Sequence, residues 1–206
     1  MVPRAVLRVT LASGSPQRRE ILQKLGLEFE VVVPGVEELT SGDPEQLVRL
    51  NALSKARALG EGGVPARAKN VLGTPPSQPG RLVIACDTDV VLDDEVLGKP
   101  ADEVEAREYL DRMSGRAHAV MSGLVVVVDG EERVGVEKTT VVFKRLSDAE
   151  KERYVRFGEW EGRSGGYAIQ TFGSSLVERL EGSVSNVVGL PVGLLAELAP
   201  ELFGPA

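Results

Sequence analysis

Two groups of residues have the types and spacing to do chemistry. The first is Asp87 with Thr88, at the end of the apolar run Leu82 to Ala85, and Lys99 in the later Gly98-Lys99-Pro100. Apolar β-formers at Val90 to Leu92, the pair Asp93-Asp94 and the return through Val96-Leu97 predict a hairpin, which would bring that acid and that lysine near each other. A carboxylate in a strand that should be buried is costly unless a metal, a cation or hydrogen bonds compensate it, so Asp87 needs a partner. The second group is Ser13-Gly14-Ser15-Pro16-Gln17-Arg18-Arg19. Ser15 suits an N-cap and Pro16 the first helical position, so free backbone N–H groups and the positive end of a helix dipole would point over this turn, with Arg18 and Arg19 adding cations. Phosphate is the natural guest of such a turn, and an ordinary capped helix reads the same way. It is not a P-loop, since no Gly-Lys-Ser/Thr follows.

The elements that must position these residues are legible from periodicity. Ala5 to Leu11 alternates as a strand and enters the Ser/Gly turn; Ile21, Leu22 and Leu25 then form a helical stripe that Gly26 ends. Phe29 to Val33 is a strand closed by Pro34-Gly35, with Glu37-Glu38 at its exit. Asp43 and Gln46 predict a capping box for a helix carrying Leu47, Leu50, Leu53 and Leu59, in which Lys55 and Arg57 fall late, where cations suit the dipole. Gly60 to Gly80 is rich in Gly and Pro and reads as a loop, a lid or an insertion. Asp102 with Glu105, and Ser147 with Glu150, predict two more boxed helices. Ala117 to Val128 and Arg133 to Phe143 are β runs joined through Asp129-Gly130. Leu176 to Leu180 is a strand, and Asn186 to Leu190 leads into Pro191, a helix start. This order predicts one α/β domain over residues 1–206: a central twisted mixed sheet flanked by helices, in two lobes with a cleft.

Composition removes several classes of function. The chain has 206 residues, with 24 Lys+Arg against 31 Asp+Glu and a net charge of −7, which opposes general binding to nucleic acid. Aromatics make up 4%, too few for a base-stacking surface. No apolar run approaches the roughly 20 residues of a membrane span. A single cysteine, Cys86, excludes an internal disulfide, and the start Met-Val-Pro-Arg lacks a signal-peptide apolar region, so a soluble cytoplasmic protein is expected. His118 is the only histidine; beside Ala117 and Val120 it reads as a packed strand residue.

Four ordered segments resemble the Maf family of nucleotide pyrophosphatases, which are related in fold to the inosine triphosphate pyrophosphatases. They are Leu11-Ala12-Ser13-Gly14-Ser15-Pro16-Gln17-Arg18-Arg19-Glu20; Asp87-Thr88 with Leu97-Gly98-Lys99-Pro100; Leu110 to His118; and Gly166-Tyr167-Ala168-Ile169-Gln170 followed by Val187-Val188-Gly189-Leu190-Pro191. The resemblance implies hydrolysis of a nucleoside triphosphate between its α- and β-phosphates with a divalent metal, Mg²⁺ or Mn²⁺. By the same resemblance Asp87 is the catalytic acid that activates water, and Glu38 with Asp87 holds the metal. Ser13, Arg18, Lys55 and Lys99 bind the substrate. Members acting on dTTP and UTP share an arginine before the one matching Arg18, a threonine after the catalytic aspartate and a glutamine in the Tyr-Gly-Ile-Gln motif. This chain keeps Thr88 and Gln170 and has Gln17 at the first place, so a pyrimidine nucleotide is expected, with 7-methyl-GTP as the alternative. Ala168, Arg163 and the extra acid Asp89 also depart from the family pattern. Family members are commonly homodimers and are also associated with control of division, so a nucleotide-binding regulator with little turnover is the rival reading.

Overall fold

The apolar run beginning at Arg81 is the middle of the sheet in the computed structural model, which describes residues 7–60 and 80–204. Apart from its two end residues, the expected loop from Gly60 to Gly80 lies outside the described residues. Strand β3 (Arg81–Leu92) has β1 (Arg8–Leu11) parallel on one side and β5 (Ala117–Val128) antiparallel on the other. β2 (Phe29–Val31) extends the parallel side. β6 (Glu131–Phe143) and β7 (Val177–Glu181) extend the antiparallel side, and β4 (Glu95–Leu97) folds back on the end of β3. The result is a seven-stranded mixed sheet of order β2-β1-β3-β5-β6-β7, with β4 off that path. Both predicted hairpins form, and their turns place Asp93, Asp94, Asp129 and Gly130 at positive φ, as tight turns between twisted strands require.

Four helices start where a capping residue was expected: α1 (Pro16–Lys24) after Ser15, α2 (Pro44–Ala58) after Asp43, α3 (Glu103–Met113) after Asp102 and α4 (Asp148–Phe157) after Ser147. Only Ser147 and Glu150 close a reciprocal capping box. Asp43 and Asp102 cap their helices one-sidedly; with Asp102 fully extended, Glu105 Oε2 accepts the N–H of Ala101 instead, at 2.7 Å. Two short helices follow β7, α5 (Val184–Val188) and α6 (Val192–Leu198). The first was not anticipated, because five residues are too few to show a helical period.

Alternation along β3 sends Leu82, Ile84 and Cys86 into a core shared with Leu22 of α1 and Leu195 of α6, and Val83 and Ala85 into a second core against Ala52, Leu53 and Ala56 of α2. Cys86 is a small buried core residue. A third cluster, around Leu92, Leu110, Phe143, Tyr154 and Trp160, forms the other lobe with α3 and α4. α2 lies so close to β5 that a Cβ on Gly123 would sit 2.2 Å from the carbonyl oxygen of Val48. That contact fixes the depth of the helix.

β1 pairs with β3 only as far as Ile84, and β4 joins it only from Val90. Residues 85–89 therefore meet a strand, β5, on one side alone. A cleft opens at that free edge, beyond the carboxyl ends of the parallel strands, where α/β sheets commonly bind ligands.

Candidate active site

Asp87 stands on the free edge of β3, on the face that looks at α2, and is 7% exposed. Its partners come from α2. Asn51 Nδ2 donates to Asp87 Oδ2 at 2.9 Å, and Lys55 Nζ donates to Asp87 Oδ1. Asn51 and Lys55 are one helical turn apart, so a single helix face meets both carboxylate oxygens. Lys55 Nζ also pairs with Glu38 Oε1 at 2.6 Å. One buried ammonium thus lies between two carboxylates, the second of them on an exposed segment.

Asp89 follows on the same strand face and makes the site more acidic. Burial pushes its carboxyl up to about 6, the negative charge of Asp87 adds to that, and a hydrogen bond from Ser164 Oγ at 2.9 Å partly opposes it. Ser164 reaches this position because the backbone of Gly165 packs directly on β3. A Cβ on Gly165 would lie 2.6 Å from Val90, and its φ of +70° is itself a glycine conformation.

Across the cleft the strand-turn-helix of residues 11–18 has the expected form. Ser13 Oγ accepts the N–H of Ser15 at 3.2 Å, and Ser15 Oγ donates to Gln17 Oε1 at 3.1 Å. Arg18 differs from the expectation of a cation aimed freely at the turn. It is buried, and donates to the Gly189 carbonyl at 2.8 Å, Ser13 Oγ at 3.0 Å and Thr88 Oγ1 at 3.1 Å. Its guanidinium therefore joins the turn after β1, β3 and the end of α5, and two of its five N–H groups keep no protein partner in this network. Thr88 Oγ1 donates to Gly189 O at 3.3 Å and accepts from Ser122 Oγ at 2.8 Å.

Ser13, Gln17, Arg18, Glu38, Lys55, Asp87, Thr88, Lys99 and Gln170, the residues singled out from the sequence, all line one cleft of about 410 Å³. Arg163, Ser164 and Asp89 line it too. Lys99 and Gln170 are exposed at its rim. Arg57, which shared Lys55's position late in the helix, turns outward to a surface pair with Glu132 at 2.8 Å. His118 is away from this site, packed in the second lobe with its Nε2 2.8 Å from the Tyr167 hydroxyl. Asn51 was not singled out. Its signal was present: a polar residue on the buried face of the Leu47–Leu53 stripe, four residues before Lys55.

A family model described as Maf-like protein matches residues 8–202. The chain belongs to the Maf family. Among relatives within reach of this Maf chain, the dTTP/UTP pyrophosphatase of Deinococcus radiodurans is 43% identical over 93% of this chain and 91% of its own. That of Symbiobacterium thermophilum is 41% identical over 96% and 95%. That of Pyrococcus abyssi is 38% identical over 96% and 97%. Among solved structures, the Staphylococcus aureus Ham1 protein is 15% identical, with a TM-score of 0.42 over 66% of this chain and 71% of that one. The four sequence segments that suggested a Maf protein all fall inside the matched span; three of them line the cleft, while Leu110 to His118 supplies none of its lining and packs Leu110 and Met113 into the core of the other lobe.

Proposed function

We propose that this Maf protein hydrolyses nucleoside triphosphates between the α- and β-phosphates, releasing a nucleoside monophosphate and pyrophosphate, with dTTP and UTP as its substrates. The observation that carries the reading is the placement of Asp87, held by both oxygens on one wall of a cleft whose opposite wall is the Ser13–Arg18 turn. Relatives at about 40% identity named dTTP/UTP pyrophosphatase support the substrate class.

Water adds to phosphorus at the α,β bridge, the bridging P–O bond breaks, and the proton of the water passes to Asp87 as pyrophosphate departs. Asp87 orients and accepts. Lys55 and Lys99 offset charge on the triphosphate, and the free N–H groups of the turn with the remaining donors of Arg18 bind its oxygens. Gln170 offers both a donor and an acceptor to a uracil or thymine edge.

The donors present suit a hard divalent cation. Lys55 Nζ pairs with one oxygen each of Glu38 and Asp87, both carboxylates keep further lone pairs for an ion beside that ammonium, and Asp89 adds a third negative group nearby. Among the described residues no cluster of three or more His, Cys, Asp or Glu is set to hold an ion, so substrate phosphates and water would complete the shell around Mg²⁺ or Mn²⁺. Such an ion, held by Glu38 and Asp87, would neutralise phosphate charge and polarise the bond that breaks. The reading extends to a cytoplasmic homodimer; no helix among the described residues is long and apolar enough to cross a membrane.

Pyrophosphate release from a panel of triphosphates, with Mg²⁺, Mn²⁺ or EDTA, tests the proposal. dTTP and UTP should be cleaved ahead of 7-methyl-GTP, and EDTA should abolish turnover. Asp87→Asn should lower kcat by about 10²–10⁴-fold, the usual contribution of a positioned general base. Release of orthophosphate in place of pyrophosphate, or unchanged turnover in Asp87→Asn, would contradict it.

A further inference from the structure

Asn51 is the partner of Asp87 that the reading above does not use. It is 3% exposed, on a buried helix face that it shares with Lys55 and with the apolar Leu47, Val48, Ala52, Leu53 and Ala56. An amide in that position needs hydrogen bonds, and Asn51 has them at both ends. Its Oδ1 accepts the N–H of Leu39 at 2.8 Å; its Nδ2 donates to the carbonyl of Leu39 at 3.0 Å and to Asp87 Oδ2 at 2.9 Å. The bonds to Leu39 close a ring of the kind that a neighbouring strand would make with it.

Leu39 lies in residues 32–43, which form neither helix nor strand and follow the end of β2. The residue before it is Glu38. That carboxylate turns back to Lys55, one helical turn beyond Asn51. Asn51 therefore ties the irregular segment to α2 immediately beside Glu38, and with its second amide hydrogen fixes the carboxylate plane of Asp87. A side chain serving only to staple the segment would need only the two bonds to Leu39.

We propose that Asn51 is a positioning residue for the reaction, one that sets the orientation of Asp87 and the place of Glu38 together so that both carboxylates face one cation position. The inference rests on the proposed hydrolysis, in which Asp87 receives the proton of water. Each carboxylate oxygen has more than one acceptor direction, so the bonds from Asn51 and Lys55 leave one free for that proton.

Two variants separate this role from simple packing. Asn51→Leu removes every bond at similar volume; Asn51→Asp keeps an acceptor for the Leu39 N–H, removes the amide donors to the Leu39 carbonyl and to Asp87, and sets a second carboxyl against Asp87. Both should lower kcat about 10–100-fold, the range for loss of a hydrogen bond to a charged group, while KM changes by less than about threefold. In an Asp87→Asn background Asn51→Leu should cost less than about threefold more, because its effect passes through Asp87. Amide exchange at Leu39 should quicken strongly in Asn51→Leu and much less in Asn51→Asp. Equal losses in both backgrounds, or wild-type kcat in either folded variant, would overturn the proposal, as would an unchanged Leu39 exchange rate in Asn51→Leu. Should Asn51→Leu fail to fold, Asn51→Asp decides by the same kinetic readouts. If the wild-type protein releases no pyrophosphate from any triphosphate, the hydrolytic reading falls. The inference falls with it, whereas turnover in wild type that Asn51→Asp leaves unimpaired overturns the inference alone.

Discussion

At the scale of single residues, the chain separates two buried polar groups that its sequence treats alike. Asp87 and His118 both sit in apolar strands, yet only Asp87 has charged partners. His118 has the Tyr167 hydroxyl at Nε2, while its Nδ1 is buried without a partner. Burial alone pushes its pKa down from 6.5 to about 4. The unfolded chain therefore takes up a proton as pH falls below about 6.5 and the native state does not, so the folded state loses stability from there down to about pH 4. Asp89, held up at about 6, contributes in the opposite sense over the lower part of that window, gaining native stability as pH falls. The quantity to measure is thus the difference between wild type and His118→Phe. Urea titrations should show wild type losing ground to the variant by up to about 1.4 kcal/mol per pH unit between pH 6 and 4.5. A difference independent of pH would mean that His118 takes up its proton equally in the folded and the unfolded chain. Tyr167, whose phenol burial holds far up, stays protonated throughout.

At the scale of elements, the decisive contact is α2 upon β3 and β5. α2 supplies Asn51 and Lys55, and its depth is set where Val48 meets Gly123. The obstacle there is helix backbone, which cannot move away as a flexible side chain could. Gly123→Ala should therefore lift the helix and destabilise the protein by about 1–3 kcal/mol, the usual cost of overpacking. It should also lower kcat although the substituted residue is outside the cleft, since both partners of Asp87 would shift. Chemical denaturation and dTTP turnover check the two halves; an Ala variant with wild-type stability would show that the contact is loose. Much of α2 was legible beforehand. Asp43 and Pro44 mark its start, and Leu47, Leu53 and Leu59 of the expected stripe mark its buried face while Leu50 turns out to solvent; capping and periodicity act over a few residues. Which of its polar residues point to the site was not legible: Arg57, two positions on from Lys55, faces solvent, and Asn51 looks like an interruption of the stripe until β3 is laid against it.

On the scale of the whole molecule, the cleft lies between separate apolar clusters, with the Ser13–Arg18 turn and α5 on one side and residues 163–170 on the other. A triphosphate spanning it would join the lobes and stabilise both. A dTTP analogue with a methylene in place of the α,β-bridging oxygen, with Mg²⁺ at about 100 times its Kd, should add about 2.7 kcal/mol of stability. That corresponds to a Tm rise of roughly 5–10 °C for a domain of this size. EDTA should remove most of the rise. A full shift in EDTA would separate binding from the metal, and none under either condition would argue against the cleft as the nucleotide site.

By itself the amino-acid sequence determined the alternating strands, the four capped helices, the two tight hairpins and the family motifs, since each depends on neighbours within about one turn or one hairpin. It also named the acid, the lysines and the turn that line the cleft. Only the tertiary structure decided that Arg18 ties its turn to Gly189, 171 residues away, and that Asn51 and Lys55 divide the two oxygens of Asp87 between them. Those meetings depend on where β1 and β4 stop along β3 and on how deeply α2 settles upon the sheet. Both are set by strand register and backbone packing between segments far apart in the chain, which no local period records.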